Sequence, residues 1–266
     1  MMENYPKIEI LWNRKEDPFL TFIVGVHGDE KAPIEALDIL KERLENQSLK
    51  KNIRIIYANV KAMNNNTRFI ESDLNDSFFD KWKWTYEEEL AKILKKELKK
   101  TAYNFDFHTT NFPIKSSYWV ISVYTDAIKE ILSSIWVKNN VFTDKECLIK
   151  YCPNGIWFEA WNEKDPDTIA NALKIMENIL EHFEIIPRQE TPTQEDINIF
   201  LIYKVLKKSE FTSINKDVVD FTRVNKWAII GIQKDGKEFF AEEDFYPIWV
   251  DDTTFIRMAK KIHIEE

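Results

Sequence analysis

Eight residues near the start of the chain, Phe19-Leu20-Thr21-Phe22-Ile23-Val24-Gly25-Val26, form an almost unbroken apolar run that stops at His27-Gly28-Asp29-Glu30. A run of this length and composition reads as a strand buried on both faces, the situation of a parallel strand sheltered by helices. The apolar stripe Ile34, Leu37, Ile39, Leu40 and Leu44 then predicts a helix over 33–45. Strand, loop and helix in that order commit the chain to an α/β arrangement. They also put His27 and Glu30 at the carboxyl end of the strand, where open α/β sheets build their sites.

The alternation continues. Strands are expected over 53–60, 104–107, 118–124 and 155–159, and helices over 86–100, 127–138 and 166–183, the last opened by Asp165-Pro166. Residues 187–193 carry two prolines and no apolar period, so they read as a linker. Short β-rich runs follow at 197–205, 218–221, 227–232, 238–241 and 246–250, with a hairpin-type Asp235-Gly236 between two of them. The expected organisation is an α/β domain over 1–188 and a small all-β domain over 194–266.

With 44% apolar and 14% aromatic residues, the 266-residue chain has ample material for a core, which argues against disorder. A net charge of -8, with no basic cluster, argues against nucleic acid as a partner. Two cysteines, Cys147 and Cys152, are too few for a disulfide scaffold. The residues Met1 to Pro6 lack the basic and apolar regions of a signal peptide, and no apolar segment reaches membrane-spanning length. A cytoplasmic protein with no membrane partner is the expectation.

His27 and Glu30 have the H-x-x-E spacing of two ligands to one metal, and His108 ends the strand-like run Tyr103-Asn104-Phe105-Asp106-Phe107. Two histidines and a glutamate at strand ends make a zinc site with its fourth position open, the catalytic arrangement. Such a metal activates water and polarises a carbonyl. The plainer alternative makes His27 a polar loop residue and Glu30 an acid favoured at a helix N-terminus. Asp106, two residues before His108 on the same strand face, is placed to orient the His108 ring. Glu159, within Gly155-Ile156-Trp157-Phe158-Glu159-Ala160-Trp161, has the aromatic company that raises a carboxyl towards general-base range; otherwise it is a carboxylate on an edge strand. Arg68 is a candidate for stabilising an oxyanion, against the commoner fate of a surface ion pair. His182 and His263 read as surface residues near segment ends.

Five segments taken in order carry a resemblance: Gly25-Val26-His27-Gly28-Asp29-Glu30, Ala58-Asn59-Val60-Lys61-Ala62, Thr67-Arg68-Phe69-Ile70-Glu71-Ser72-Asp73-Leu74-Asn75, Asp106-Phe107-His108-Thr109-Thr110 and Gly155-Ile156-Trp157-Phe158-Glu159. The chain resembles the succinylglutamate desuccinylase/aspartoacylase family, whose members are similar to zinc carboxypeptidases. Tyr246-Pro247-Ile248-Trp249-Val250 is similar to a late piece of the family's C-terminal β domain. The resemblance implies a zinc-carboxypeptidase-like mixed sheet flanked by helices, with a small C-terminal all-β domain. It implies one Zn2+ per chain held by His27, Glu30 and His108, with Glu159 as general base and acid. Arg68 would polarise the scissile carbonyl, and Asn75 would bind substrate. The implied activity is a zinc-dependent amidohydrolase, a deacylase cleaving a linear amide of a small-molecule N-acyl amino acid or N-acyl amine.

The departures concern the substrate. The family pattern D-L-N-R-x-F stands here as Asp73-Leu74-Asn75-Asp76-Ser77-Phe78, so a carboxylate-gripping arginine is replaced by an acid. Phe255 falls where aspartoacylases have a late tyrosine, and Trp161 stands near a usual glycine. Metal and base are kept while the clamp is changed, which implies altered specificity. Asp76 would repel a substrate carboxylate and favour an amine, unless a cation such as Lys61, Arg68 or Lys150 pairs with it. A carboxypeptidase-like peptidase and a zinc-containing binding protein without turnover are the competing readings, and assembly into a homo-oligomer stays open.

Overall fold

The structure, a computed structural model, describes residues 5–11, 17–45, 47–79, 84–114, 116–135, 137–188 and 197–262. The apolar run near the start supplies β2 (Leu20–Val24), the second strand after β1 (Lys7–Leu11), and every residue of β2 is buried. Leu20, Phe22 and Val24 enter the core under one face of the sheet, while Ile23 enters the core under the other. That two-sided burial is why no polar alternation shows in the sequence. Helix α1 (Ala32–Leu44) follows with Pro33 in its first turn, and then come β3 (Ile53–Tyr57) and the short α2 (Val60–Asn65). The strand expected over 53–60 therefore ends early. The Asn59 side chain accepts from Ala62 N and caps a helix instead.

Helix α3 (Tyr86–Glu97) precedes β4 (Tyr103–Thr110) and β5 (Tyr118–Ile121). Helix α4 (Asp126–Ser134) leads into β6 (Asn139–Phe142), a strand that no apolar run announced. The α/β part closes with β7 (Gly155–Asn162) and α5 (Thr168–His182). Helices α1, α4 and α5 bury Leu37, Leu40, Ile128, Ile131, Met176 and Ile179 against one face of the sheet. On the other face Leu90, Leu94 and Leu98 pack with Phe78. The α3 stripe is the sequence's amphipathic period realised.

Most of the expected linker lies outside the described residues, as does His263. Beyond it the chain first extends the same sheet. β8 (Asn198–Lys207) pairs in parallel with β6. β9 (Phe211–Ile214), β10 (Ile229–Gln233) and β11 (Glu238–Phe240) form a separate three-stranded sheet. β12 (Tyr246–Ile248) and β13 (Phe255–Ile262) return to the large one, β13 antiparallel to β8. The large sheet has ten strands in the order β1-β3-β2-β4-β7-β5-β6-β8-β13-β12. Its centre, β3-β2-β4-β7, is parallel, and β5 runs antiparallel to β7. The sheet is thus mixed, and the β-rich C-terminal part both extends it and adds the small sheet. The run at 218–221 is not a strand. Val218 is a core residue on a turn, and Phe221 has a left-handed φ of +56°.

Candidate metal centre and its cavity

The carboxyl ends of β2, β4 and β7 deliver the central residues. After β2 the chain turns at Gly25, with φ +69°, and carries His27 and Glu30 across the top of the sheet. Gly28 in this turn lies against α2, where a Cβ would stand 2.1 Å from the Ala62 carbonyl carbon. Only glycine lets the loop approach so closely. His108 is within β4, and Glu159 is its register partner in the neighbouring β7.

His27, Glu30 and His108 are all buried. One ligand atom from each lies within 4.8 Å of the other two. His27 Nδ1 is 2.7 Å from Glu30 Oε1, His108 Nδ1 is 3.0 Å from Glu30 Oε2, and the two Nδ1 atoms are 3.2 Å apart. Two ring nitrogens that close cannot both carry protons directed at each other, whereas a cation between them uses both lone pairs and the carboxylate. The outer nitrogens complete the picture. His27 Nε2 lies 3.3 Å from Asp73, and His108 Nε2 lies 2.9 Å from Asp106. An acid behind the imidazole is how a metal-ligating histidine is oriented. The donor set therefore fits a divalent metal bound by two histidines and a carboxylate.

The nearby acids are separated electrostatically. Burial works to raise the Glu30 carboxyl, but the adjoining His27 and His108 imidazoles pull it far below the usual carboxylate range. Glu159 is pushed up to about 8, chiefly by burial, with His108 acting against the rise and Glu30 adding to it. Its Oε2 has no hydrogen-bond partner among the described residues. Two buried acids driven in opposite directions are a common mark of divided acid–base roles.

The loop after α2 adds a cation held between acids. Arg68 Nη1 donates to Glu30 Oε1 at 3.2 Å and Nε to Asp73 Oδ2 at 3.3 Å. This loop is fastened from below by Glu87 of α3, fully buried. Its carboxylate accepts from the backbone N–H groups of Ile70, Glu71 and Ser72 at 2.7, 3.1 and 3.1 Å, and from Asn59 Nδ2 at 3.2 Å. Glu163 acts similarly after β7, accepting from Lys31 N, Ala32 N and the Thr109 hydroxyl.

These residues surround a cavity of about 500 Å3 lined by His27, Glu30, Arg68, Asp73, Asn75 and Glu159, with Lys145, Trp157, Trp249, Phe255 and Arg257 among its other walls. Asn75 Oδ1 accepts from Leu148 N, while its buried Nδ2 has no partner among the described residues. Asp76 is placed differently from expectation. It is absent from the lining, and its carboxylate is 2.6 Å from Lys145 Nζ, which does line the cavity. The acid that replaces the family's arginine is therefore paired, by a cation other than the three weighed from the sequence. Asp76 thus faces a lysine and not the cavity itself. His182, the last residue of α5, hydrogen-bonds the Ser134 hydroxyl at 2.6 Å and does not line this cavity, and both cysteines are buried free thiols. Asp73, Glu87, Glu163, Lys145 and Arg257 were not singled out from the sequence. Asp73 stood within a quoted motif, but the others come from distant segments with no spacing to mark them.

The sequence pattern described as the succinylglutamate desuccinylase/aspartoacylase catalytic domain matches residues 18–135. A succinylglutamate desuccinylase of Photorhabdus laumondii is 36% identical over 73 residues, covering 27% of this chain and 22% of that one. Another, of Pseudomonas putida, is 24% identical over 167 residues, covering 59% and 49%. The matches thus span less than half the length of these curated relatives. Among solved structures, a succinylglutamate desuccinylase of Vibrio parahaemolyticus superposes with a TM-score of 0.72 at 18% identity, covering 96% of this chain and 85% of that chain. Murine aminoacylase 3 gives 0.72 at 14% identity, covering 94% and 98%. At such identities the structural likeness establishes the fold.

Proposed function

From the match of residues 18–135 to the succinylglutamate desuccinylase/aspartoacylase catalytic domain, we propose that the chain is a zinc-dependent amidohydrolase that cleaves the linear amide of a small N-acyl amino acid or N-acyl amine. One observation carries this reading: the His27, Glu30 and His108 donors converge, and His27 and Glu30 line the same cavity as Glu159, whose carboxyl is raised by burial. His27, Glu30 and His108 would hold the metal. When bound, zinc supplies Lewis acidity to a carbonyl oxygen and to water.

The chain's own residues do the rest. Glu159 takes a proton from the water that attacks the amide carbon and delivers it to the departing nitrogen, so that water and amide become acid and amine. Arg68, fixed by Glu30 and Asp73, stabilises the negative charge that gathers on the carbonyl oxygen. Asn75 offers its open Nδ2 to the substrate. Burial around Glu159 keeps bulk water from competing for its proton.

The test combines metal analysis with a hydrolysis panel. Protein purified without added metal is expected to carry about one zinc per chain, and to release amine from one class of N-acyl compound in a reaction stopped by a chelator and restored by zinc. Zinc with no turnover across the panel makes it a binding protein. Release confined to the C-terminal residue of peptides makes it a peptidase.

A further inference from the structure

The C-terminal part of the chain builds one wall of the cavity, and none of that wall takes part in the chemistry above. Its centre is Arg257 of β13. The guanidinium carbon lies 3.6 Å from the centroid of the Trp249 ring. Nη1 donates to Asp252 Oδ2 at 3.1 Å, and the side chain is only 19% exposed. Nε and Nη2 have no hydrogen-bond partner among the described residues, and the residue lines the cavity.

The support beneath it is also specific. Trp249 has a left-handed φ of +61°, unusual for a bulky residue. Its indole N–H donates to the hydroxyl of buried Tyr118 in β5. Asp252 spends its second oxygen on Thr254 N at 2.7 Å, and Asp220 accepts from Val250 N at 2.8 Å, so the turn under Arg257 is closed on both sides. Backbone strain held in place by neighbouring bonds is a reason to look for function at the strained residue. A stacked guanidinium with one nitrogen anchored and others open is preorganised to receive an anion, because its planar donors match a carboxylate. Arg257 lies near enough to Glu159 to feel its charge, so a bound anion and the reacting amide fall within one small molecule. Lys145 is the other spare cation of the cavity. It is 59% exposed and already paired with Asp76, a setting in which an ammonium contributes little.

We propose that Arg257 is the specificity-determining residue of this cavity, gripping a carboxylate of the substrate while Trp249 and Asp252 hold it in place. The proposal rests on the deacylase reading for what happens to the rest of the molecule. The competing role for Arg257 is purely structural, tying the 249–254 turn to β13.

The experiment compares an N-acyl amino acid with its carboxamide in wild type, Arg257→Gln and Arg257→Lys, all zinc-loaded. It adds calorimetric binding of glutarate to the same three proteins without metal. Wild type is expected to favour the carboxylate in kcat/KM by roughly 10- to 100-fold, the range of a charge-assisted hydrogen bond. Arg257→Gln should bring that ratio close to one and weaken glutarate binding at least about tenfold. Arg257→Lys, which keeps the charge and loses the fork, should recover part of both. Turnover of neither compound by wild type removes the deacylase reading, and the glutarate affinities still decide the role of Arg257. An unchanged ratio and unchanged glutarate binding in a folded Arg257→Gln overturn the proposal. If Arg257→Gln does not fold, Arg257→Lys decides, and wild-type ratio and affinity in it overturn the bidentate grip.

Discussion

Glu159 and Glu30 show how far two buried carboxyls in one cavity can be pushed apart. Glu159→Gln keeps the shape and cannot carry a proton, so it should retain zinc while kcat falls by about 10²–10⁴. Zinc analysis beside steady-state kinetics reads both, and activity within a few-fold of wild type would remove Glu159 from the chemistry. The same substitution has a second consequence in protein stripped of metal. There the folded state keeps the Glu159 proton up to about 8, against an ordinary value of 4.5. Between those values the folded state binds more protons than the unfolded chain, so stability from this group is lost as pH rises through the window. The gain in melting temperature of Glu159→Gln over wild type, both with chelator, should therefore widen from pH 5 to pH 9. A gain that stays flat means that the carboxyl is not held away from water. At Asp76 the sequence left the partner open for a simple reason: a charge is visible in a sequence, but its partner is not. Lys145 comes from a segment nearly seventy residues away, with no spacing to link the two.

Among the elements, α3 matters beyond its apolar stripe, because Glu87 in its first turn fastens the backbone between Arg68 and Asp73. Replacing it with Gln gives the site a donor facing donors. Each hydrogen bond to a charged group contributes about 1.5–3 kcal/mol, so Glu87→Gln should lower unfolding stability by an amount of that order. It should also lower kcat more than it raises KM, because Arg68 loses its fixed position. Denaturant unfolding and kinetics test the pair of effects, and lost stability with intact kcat would leave Glu87 a purely structural acid. Elements with a strong local pattern, namely the apolar run of β2 and the periods of α1, α3, β4 and α5, were legible from the sequence, within a few residues at their ends. β6 and β13 were not. Asn139–Phe142 begins with two asparagines, and Phe255–Ile262 mixes Arg257, Lys260 and Lys261 with apolar residues because only one face of it is covered. Burial, not propensity, makes these segments strands. The clustering of His27, Glu30 and His108 was legible because strand ends and H-x-x-E spacing are local signals, whereas the place of Arg257 depends on where a late strand lands.

At the scale of the whole molecule, the expected border between an α/β part and a β-rich part is crossed by the sheet itself. A chain ended at residue 188 would expose the β6 edge that β8 covers, uncover Tyr118 and Val141 where Phe200 and Ile248 pack, and lose the Trp249–Arg257 wall. An open edge beside exposed apolar surface favours aggregation. Such a truncation is expected to be recovered mainly as insoluble protein; a soluble, zinc-retaining monomer on size-exclusion chromatography would show that the first part stands alone. The pairing of His108 with Glu159 across β4 and β7 has a further consequence, for descent. Adding or removing one residue in either strand ahead of these positions would turn one side chain to the opposite side of the sheet. Those strands can exchange residues over generations but cannot change length. The turn between β12 and β13 lies outside those strands, so a change of length there leaves the His108–Glu159 pairing in place and falls on the Trp249–Arg257 wall instead.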